Sequence, residues 1–440
     1  MVRVIVVGGG LGGMAAAARL AKQGHEVALL EAGGRLGGAL APVHQDGYTW
    51  DAGPTSTLLP AALRDLFRKT GRPLEAELRG ELEPLEVLRE HRFADRTSVR
   101  LTGGSRAAQM AAMEELGPGL GRRWAEHVDS YGETWDLLRR HYVEAPWDPR
   151  AKVSTSKELD ALLGSRETLH KRLRRDFRDE RLALVAGHPA VAEGHDLRNV
   201  PSWVGVRAYL EQTFGGWQLP GGMARLADLL TARLATRKVS VRTSTPVTDL
   251  VVRGGRVVAV RTPEGDADAD AVVVAVDPRR IPVLAPHVAR TMPALPPVIT
   301  HLGLSGDVPA LTHEVVLHAE PLIVVRPGGS APEGGTAWTL HGRGKLAEDI
   351  VDALARHRID VRENIVTRVD LSPRQAVEQW HGSPMGVLWQ GRGTVRRRLG
   401  PHTPIAGVYV AGAHGAPGAG VPFVTQSAAL VAQLIGTAAR

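Results

Sequence analysis

Apolar and polar positions follow two different rhythms along this chain. Residues 3–7, Arg-Val-Ile-Val-Val, form an almost unbroken apolar run that ends in Gly8-Gly9-Gly10-Leu11-Gly12-Gly13, and residues 14–22 then carry helical spacing. A second apolar run at 26–30 closes on Glu31, which predicts strand, tight turn, helix and strand, the start of a parallel βαβ unit. Residues 60–210 show mostly three- and four-residue apolar spacing and predict a largely helical insertion. Strands are predicted at 239–242, at 249–253 and 256–261 with Gly254-Gly255 as a hairpin turn, and at 271–276. Several short strand-like runs lie between 298 and 341, a helix at 345–356, a strand at 407–411 and a helix at 425–435.

Length and composition narrow the class. At 440 residues the chain exceeds one ordinary hydrophobic core, and 43% apolar with 23% charged residues suits a globular enzyme. There is no cysteine, so thiolate metal sites, thiol nucleophiles and dithiol relays are excluded and any redox chemistry needs a bound cofactor. The 17 histidines are scattered without metal-ligand spacing, and no metal site is expected. Only 7 of the 54 basic residues are lysine, so the net charge of +7 reflects arginine usage and does not point to nucleic acid. Residues 1–7 lack the features of a secretory signal and no stretch is apolar enough to span a bilayer, so a cytoplasmic location is expected.

The first glycine block reads as Gly8-x-Gly10-x-x-Gly13 between strand and helix, with Glu31 18 residues further on. Gly8 permits the turn, Gly10 lets backbone approach a pyrophosphate, Gly13 permits close packing, and Glu31 can accept ribose hydroxyls. This predicts a dinucleotide on a Rossmann-type domain and disfavours a 2′-phosphate, without separating NAD from FAD. Three further blocks follow. They are Arg35-Leu36-Gly37-Gly38 with Gly47-Tyr48-x-x-Asp51-Ala52-Gly53-Pro54-Thr55, then Gly215-Gly216-Trp217-Gln218-Leu219-Pro220-Gly221-Gly222-Met223, and last a strand ending in Gly412-Ala413-His414 before Val421-Pro422.

Together these blocks resemble the FAD-dependent amine oxidase superfamily, and within it the phytoene desaturase type of carotenoid enzyme. The resemblance implies FAD. It places Arg35 at the diphosphate, Gly37 and Gly38 at a close backbone passage, and Leu11, Gly12, Ala32, Gly53, Pro54 and Thr55 along the same cofactor. Val247 would meet the adenine through its backbone, and Gly412, Ala413, Val421 and Pro422 would pass the flavin with a helix N-terminus at its carbonyl edge. Asp51 reads as fixing the turn. One departure concerns His414, since the family pattern carries its histidine two places later, beside the proline, where this chain has Ala416. His414 is the candidate proton carrier, with a backbone-satisfied loop histidine as the other reading.

The fold expected is α/β, a Rossmann-type FAD domain with a parallel sheet (1–70, 215–290 and 385–440) interleaved with an α+β substrate domain (71–214 and 291–384), mainly helical in its first part. The chain reads as shorter than a typical carotene desaturase, with the loss in the substrate domain. The activity implied is dehydrogenation of an apolar, isoprenoid or polyene, substrate by hydride transfer to flavin. With a single dinucleotide motif, the electrons are expected to pass to oxygen or a quinone. An amine or tetrapyrrole oxidase, which would need an aromatic cage near the flavin, and a non-catalytic flavoprotein are the alternatives. Segment 166–184 places Leu169, Leu173 and Phe177 at helical spacing among seven basic residues. It reads either as a helix resting on the inner face of a membrane or as a surface helix with those three residues inward.

Overall fold

The computed structural model describes residues 1–151 and 156–438. The opening strand, Arg3–Val7, lies at the centre of a five-stranded parallel sheet in the order Val408–Val410, Ala271–Val274, Arg3–Val7, Glu26–Leu30, Ser240–Arg242. Its side chains alternate between two buried layers. Val4 and Val6 pack toward the helices Leu11–Lys22, Arg225–Thr236 and Val421–Ile435, while Ile5 and Val7 pack toward a three-stranded antiparallel sheet containing Val257 and Val260. Burial on both faces explains why the run reads as continuously apolar. In the opening helix Ala15, Ala16, Ala17 and Ala18 are all fully buried, and such small side chains let neighbouring helices approach closely.

A second sheet has seven strands, in the order Ile365–Leu371, Val298–Ser305, Gly335–Arg343, Leu322–Pro327, Glu314–Leu317, Val87–Arg92, Ser98–Thr102. One face is oily: Leu302, Leu304, Val315, Leu317, Ile323, Val325, Trp338 and Leu340 pack against the helix Ile350–Arg356. The alternate residues Ile299, Glu314, Val324, Arg326 and His341 face a large cavity instead. Tyr48 and Trp50, on a short hairpin with Val43–Gln45, fasten it to the second sheet by donating to the carbonyls of Leu304 and Leu302 at 3.0 and 3.1 Å. Helices between Arg106 and Phe214 build a third core that gathers Trp124, Tyr131, Trp135, Tyr142, Trp147, Phe177 and Trp203.

Several sequence expectations need correction. The stretch 60–210 is mostly helical as expected, but Val87–Arg92 and Ser98–Thr102 within it are strands, the first pairing parallel with Glu314–Leu317. Segment 166–184 is not one helix. Leu169–Asp176 ends where Phe177 turns extended, and a second helix, Glu180–Ala192, starts on the Asp179 cap. Leu169, Leu173 and Phe177 are buried in the third core, while Arg175 and Arg181 pair with Glu167, Asp176, Asp179 and Asp95. The apolar face of this segment is therefore not available to a bilayer. The opening and closing helices begin earlier than predicted, at Leu11 and Val421 directly after the cap glycines Gly10 and Gly420, and the 345–356 helix begins later, at Ile350 on an Asp349 cap. Among the described residues, no helix is long and apolar enough to cross a membrane.

Candidate functional site: a cofactor and substrate cavity

One cavity of about 1410 Å³ runs between the two sheets. Its volume exceeds the roughly 300–1,000 Å³ typical of a single small-ligand pocket, so it can hold a cofactor and a substrate together. All the site residues named above line it except Gly13. Gly13 lies behind the first loop, where a Cβ would stand 1.8 Å from the carbonyl oxygen of Gly8. At Gly10 the situation is reversed: a Cβ would meet nothing within 4 Å and would project into open space. The first glycine is thus spent on packing the turn, and the second keeps room for a ligand.

The glycine blocks are stitched to one another. Gly37 N–H donates to Gly9 O at 2.9 Å, bringing the arginine-glycine loop onto the first turn. A Cβ on Gly12 would stand 3.0 Å from the Cα of Gly412, so the N- and C-terminal blocks meet backbone to backbone. Gly412 takes φ +98° and donates its N–H to Ser427 at 2.7 Å. Glu31 accepts from Gly9 N and Gly33 N at 2.6 and 2.7 Å, and Thr245 N donates to its backbone carbonyl, which sets Val247 and Ala32 at the same end of the cavity. A carboxylate has about four acceptor directions, so two N–H partners leave room for a ribose hydroxyl. Arg35 is exposed along the wall, one guanidinium nitrogen bonded to Pro42 O at 2.8 Å.

The donor chemistry fits FAD. The helices Leu11–Lys22 and Val421–Ile435 both begin at glycine caps, with no side-chain cap and no acidic residue in the first turn. Their free N–H groups and partial positive ends are open to an anionic group, a diphosphate at the first and the electron-rich edge of a flavin at the second.

Asp51 fixes more than its own turn. Its two carboxylate oxygens accept from Met223 N and Ala224 N at 3.1 and 2.9 Å, capping the entry to Arg225–Thr236 and joining the Asp-x-Gly-Pro-Thr loop to the glycine-rich return. Arg326 was not foreseen. It is 8% exposed and donates to Gly53 O at 2.7 Å and Thr55 Oγ1 at 2.9 Å, and approaches His341 Nε2 at 3.1 Å and Glu314 at 3.7 Å. One strand residue of the second sheet thereby clamps the cofactor loop. A lone arginine in an alternating strand looks like a solvent-facing position, so only the pairing of strands far apart in sequence could have revealed it.

His414 lines the cavity, but both of its ring nitrogens are engaged. Nε2 contacts Ser383 O at 3.0 Å and Nδ1 faces Arg279 at 3.3 Å, which assigns the proton to Nε2. Burial pulls this imidazole below its ordinary range, with Asp277 opposing. Burial also acts to raise Asp277, yet the Arg279 guanidinium bonded to it holds it below the usual carboxylate range. His414 is thus held as a neutral, doubly bonded ring with no free nitrogen for proton transfer.

Buried neutral histidines set a pH dependence. Burial lowers His195, His301 and His318 from 6.5 to about 4. Between those values the unfolded chain binds more protons than the folded one, so stability rises with pH there. The expected result is a thermal midpoint that falls as pH drops from about 6.5 toward 4 and recovers on neutralisation. Substituting the three with asparagine or glutamine should flatten the dependence, which scanning calorimetry at fixed ionic strength will read.

Comparisons agree with this geometry. A family model for flavin-containing amine oxidoreductases matches residues 11–436. In sequence, the chain is 26% identical to the neurosporene-forming phytoene desaturase of Cereibacter sphaeroides, over 100% of this chain and 95% of the relative. It is 28% identical to hydroxyneurosporene desaturase of the same organism, over 98% and 97%. In structure it resembles wild-type putrescine oxidase bound to putrescine, with TM-score 0.68, 18% identity and coverage of 99% of this chain and 98% of that one. Cyclohexylamine oxidase from Brevibacterium oxydans gives TM-score 0.65, 16% identity and 99% coverage of both. Those two likenesses speak to the fold alone. With nearly the whole length matched, the chain belongs to the flavin-containing amine oxidoreductase family and is an FAD-dependent oxidoreductase.

Proposed function

We propose that the protein is a desaturase, removing a hydride and a proton from adjacent carbons of an isoprenoid or polyene chain to leave a C=C bond. Bound FAD supplies the two-electron, hydride-accepting chemistry, and oxygen or a quinone takes the electrons onward. The chain's own residues bind, orient and exclude water. Leu58, Leu85, Val87, Leu88, Ile299 and Val324 give the chamber an aliphatic wall. The observation that carries the reading is where the aromatic residues go. Most of the tryptophans and tyrosines are buried in the structural cores, and Trp380 and Phe423 alone among the tryptophan, tyrosine and phenylalanine residues line the cavity. Among the described residues only these two such rings are there to meet an amine, against the six aliphatic side chains above. The sequence relatives named as carotenoid desaturases support the same choice.

Contact with the inner, cytoplasmic face of a membrane belongs to this proposal, because a substrate of that class partitions into lipid. Segment 166–184 would contribute only its basic rim.

The test is anaerobic titration of the yellow protein with polyene precursors, amines and porphyrinogens. Polyene precursors are expected to bleach the flavin absorbance in proportion to new double bonds formed. Bleaching by an amine or a porphyrinogen, with none by polyenes, would overturn the proposal.

A further inference from the structure

Beyond the glycine blocks, the cavity wall is not what a pure hydrocarbon requires. Three ion pairs line it: Arg89 with Glu211, Arg207 with Glu193, and Arg326 with Glu314. They are set on the strands Val87–Arg92, Glu314–Leu317 and Leu322–Pro327, on the helix Val206–Phe214, and just after the helix Glu180–Ala192. The side chains of Arg89, Glu211 and Arg326 are 11%, 6% and 8% exposed, so solvent screens them little. His188 and His341 stand in the same wall, and burial above all keeps both neutral.

Two properties of this belt define its ligand. Its charge is balanced, since each guanidinium has a carboxylate partner and the two imidazoles are uncharged. A carboxylate or ammonium brought into it would be a buried charge without compensation. Its hydrogen-bonding capacity is unbalanced toward donors. Among the described residues Arg89 donates to Glu211 alone and Arg207 to Glu193 alone. Nη1 of Arg89 and Nη2 of Arg207 bond no acceptor among the described residues, whereas the Nε atoms of both and Nδ1 of His188 are unpartnered but closed off inside the wall. A guanidinium carries five N–H donors and no acceptor, so the surplus calls for an oxygen that accepts. A hydrocarbon pressed against it would desolvate these donors and return nothing.

We propose that the substrate is an isoprenoid or polyene bearing an uncharged oxygen function, a hydroxyl or carbonyl, that accepts hydrogen bonds from the Arg89 and Arg207 belt. Its aliphatic part then lies along Leu58, Leu85, Leu88 and Ile299. This rests on the desaturase reading and narrows its substrate.

The experiment compares, on the intact yellow protein, one hydrocarbon polyene with its hydroxylated, keto, carboxylate and amine counterparts of equal length. Dissociation constants come from the anaerobic perturbation of the flavin spectrum, and turnover is followed separately. The hydroxylated or keto compound is expected to bind about tenfold to a hundredfold more tightly than the hydrocarbon, with the carboxylate and the amine weaker than both neutral oxygen compounds. In the double variant Arg89→Met, Glu211→Leu, which replaces a buried ion pair by apolar groups of similar size, the preference should shrink or invert at unchanged flavin content. Equal or tighter binding of the hydrocarbon overturns the inference, as does preference for the acid or the amine. Persistence of the oxygen preference in the double variant overturns the assignment to Arg89. If polyenes bleach the flavin without regard to oxygen, only this inference fails. If no polyene is bound or bleaches the flavin and an amine does, the desaturase reading fails and this one with it.

Discussion

The Gly10→Val protein is expected to purify folded and without flavin. Gly10 has φ −73° and ψ −178°, extended backbone that valine adopts readily, and a Cβ there meets no atom within 4 Å beyond its chain neighbours. What it occupies is the space in front of the first helix N-terminus, where the diphosphate must come against backbone N–H groups. Overpacking at such a contact costs about 1–3 kcal/mol, up to about a hundredfold in affinity. The expected observations are loss of the yellow colour on gel filtration and a melting curve that overlays that of flavin-stripped wild type, since only ligand stabilisation has been removed. The contrasting variant is Gly13→Val, where the 1.8 Å approach to Gly8 O leaves no room and the turn itself must break. A Gly10→Val protein that holds flavin as wild type does would mean that the cofactor does not pass this loop.

Arg326→Met should produce the other large effect, on stability and on cofactor retention together. Arg326 is the donor to Gly53 O and Thr55 Oγ1, and it faces Glu314 from inside the cavity wall. Without it a buried carbonyl loses a charged donor, and Glu314 keeps only His188, 3.9 Å away and held neutral by burial. Removing one member of a buried pair costs about 3–5 kcal/mol. The holoenzyme's thermal midpoint should drop and its flavin should dissociate faster, because the Gly53-Pro54-Thr55 loop loses its clamp. Arg326→Lys keeps the charge without the planar fork and should recover part of the midpoint but less of the flavin retention. A midpoint and flavin off-rate equal to wild type in Arg326→Met would show that the loop is held by other contacts.

These two residues mark the boundary of what could be read in advance. Gly10 was legible because its chemistry is local: strand, glycines and helix follow one another within a few residues, and the parallel strand at Ala271–Val274 announces itself as an unbroken apolar run. Arg326 was not, because its role depends on a partner loop more than 270 residues earlier in the chain. The same holds for Val87–Arg92. Glu90 and His91 interrupt its alternation and resemble a polar helix surface, yet Glu90 is buried among Arg92, Arg100 and His313, and His91 stacks on His318. Alternation of Leu88 with Val99 and Leu101 across the Ala94-Asp95-Arg96 turn was the available signal, weakened because the strand's other neighbour is Glu314–Leu317. In segment 166–184 the spacing of Leu169, Leu173 and Phe177 correctly marks one buried face. The helix break after Asp176 carries no glycine or proline to announce it.

The central position of Arg3–Val7 has a consequence for how the protein is made on the ribosome. This strand precedes the other four of its sheet in the chain; it gains one neighbour, Glu26–Leu30, almost at once, but its other edge stays open until residues 271–274 have been synthesised. The Gly412 and Val421 blocks are the last of the cavity-lining segments to be translated. The cofactor site is therefore complete only after nearly the whole chain is available, and a nascent or truncated product that stops before residue 271 exposes a bare strand edge with no cofactor to cover its loop. Open edges of that kind template association between chains. Shielding of that strand edge while translation continues is thus one condition for keeping nascent chains apart.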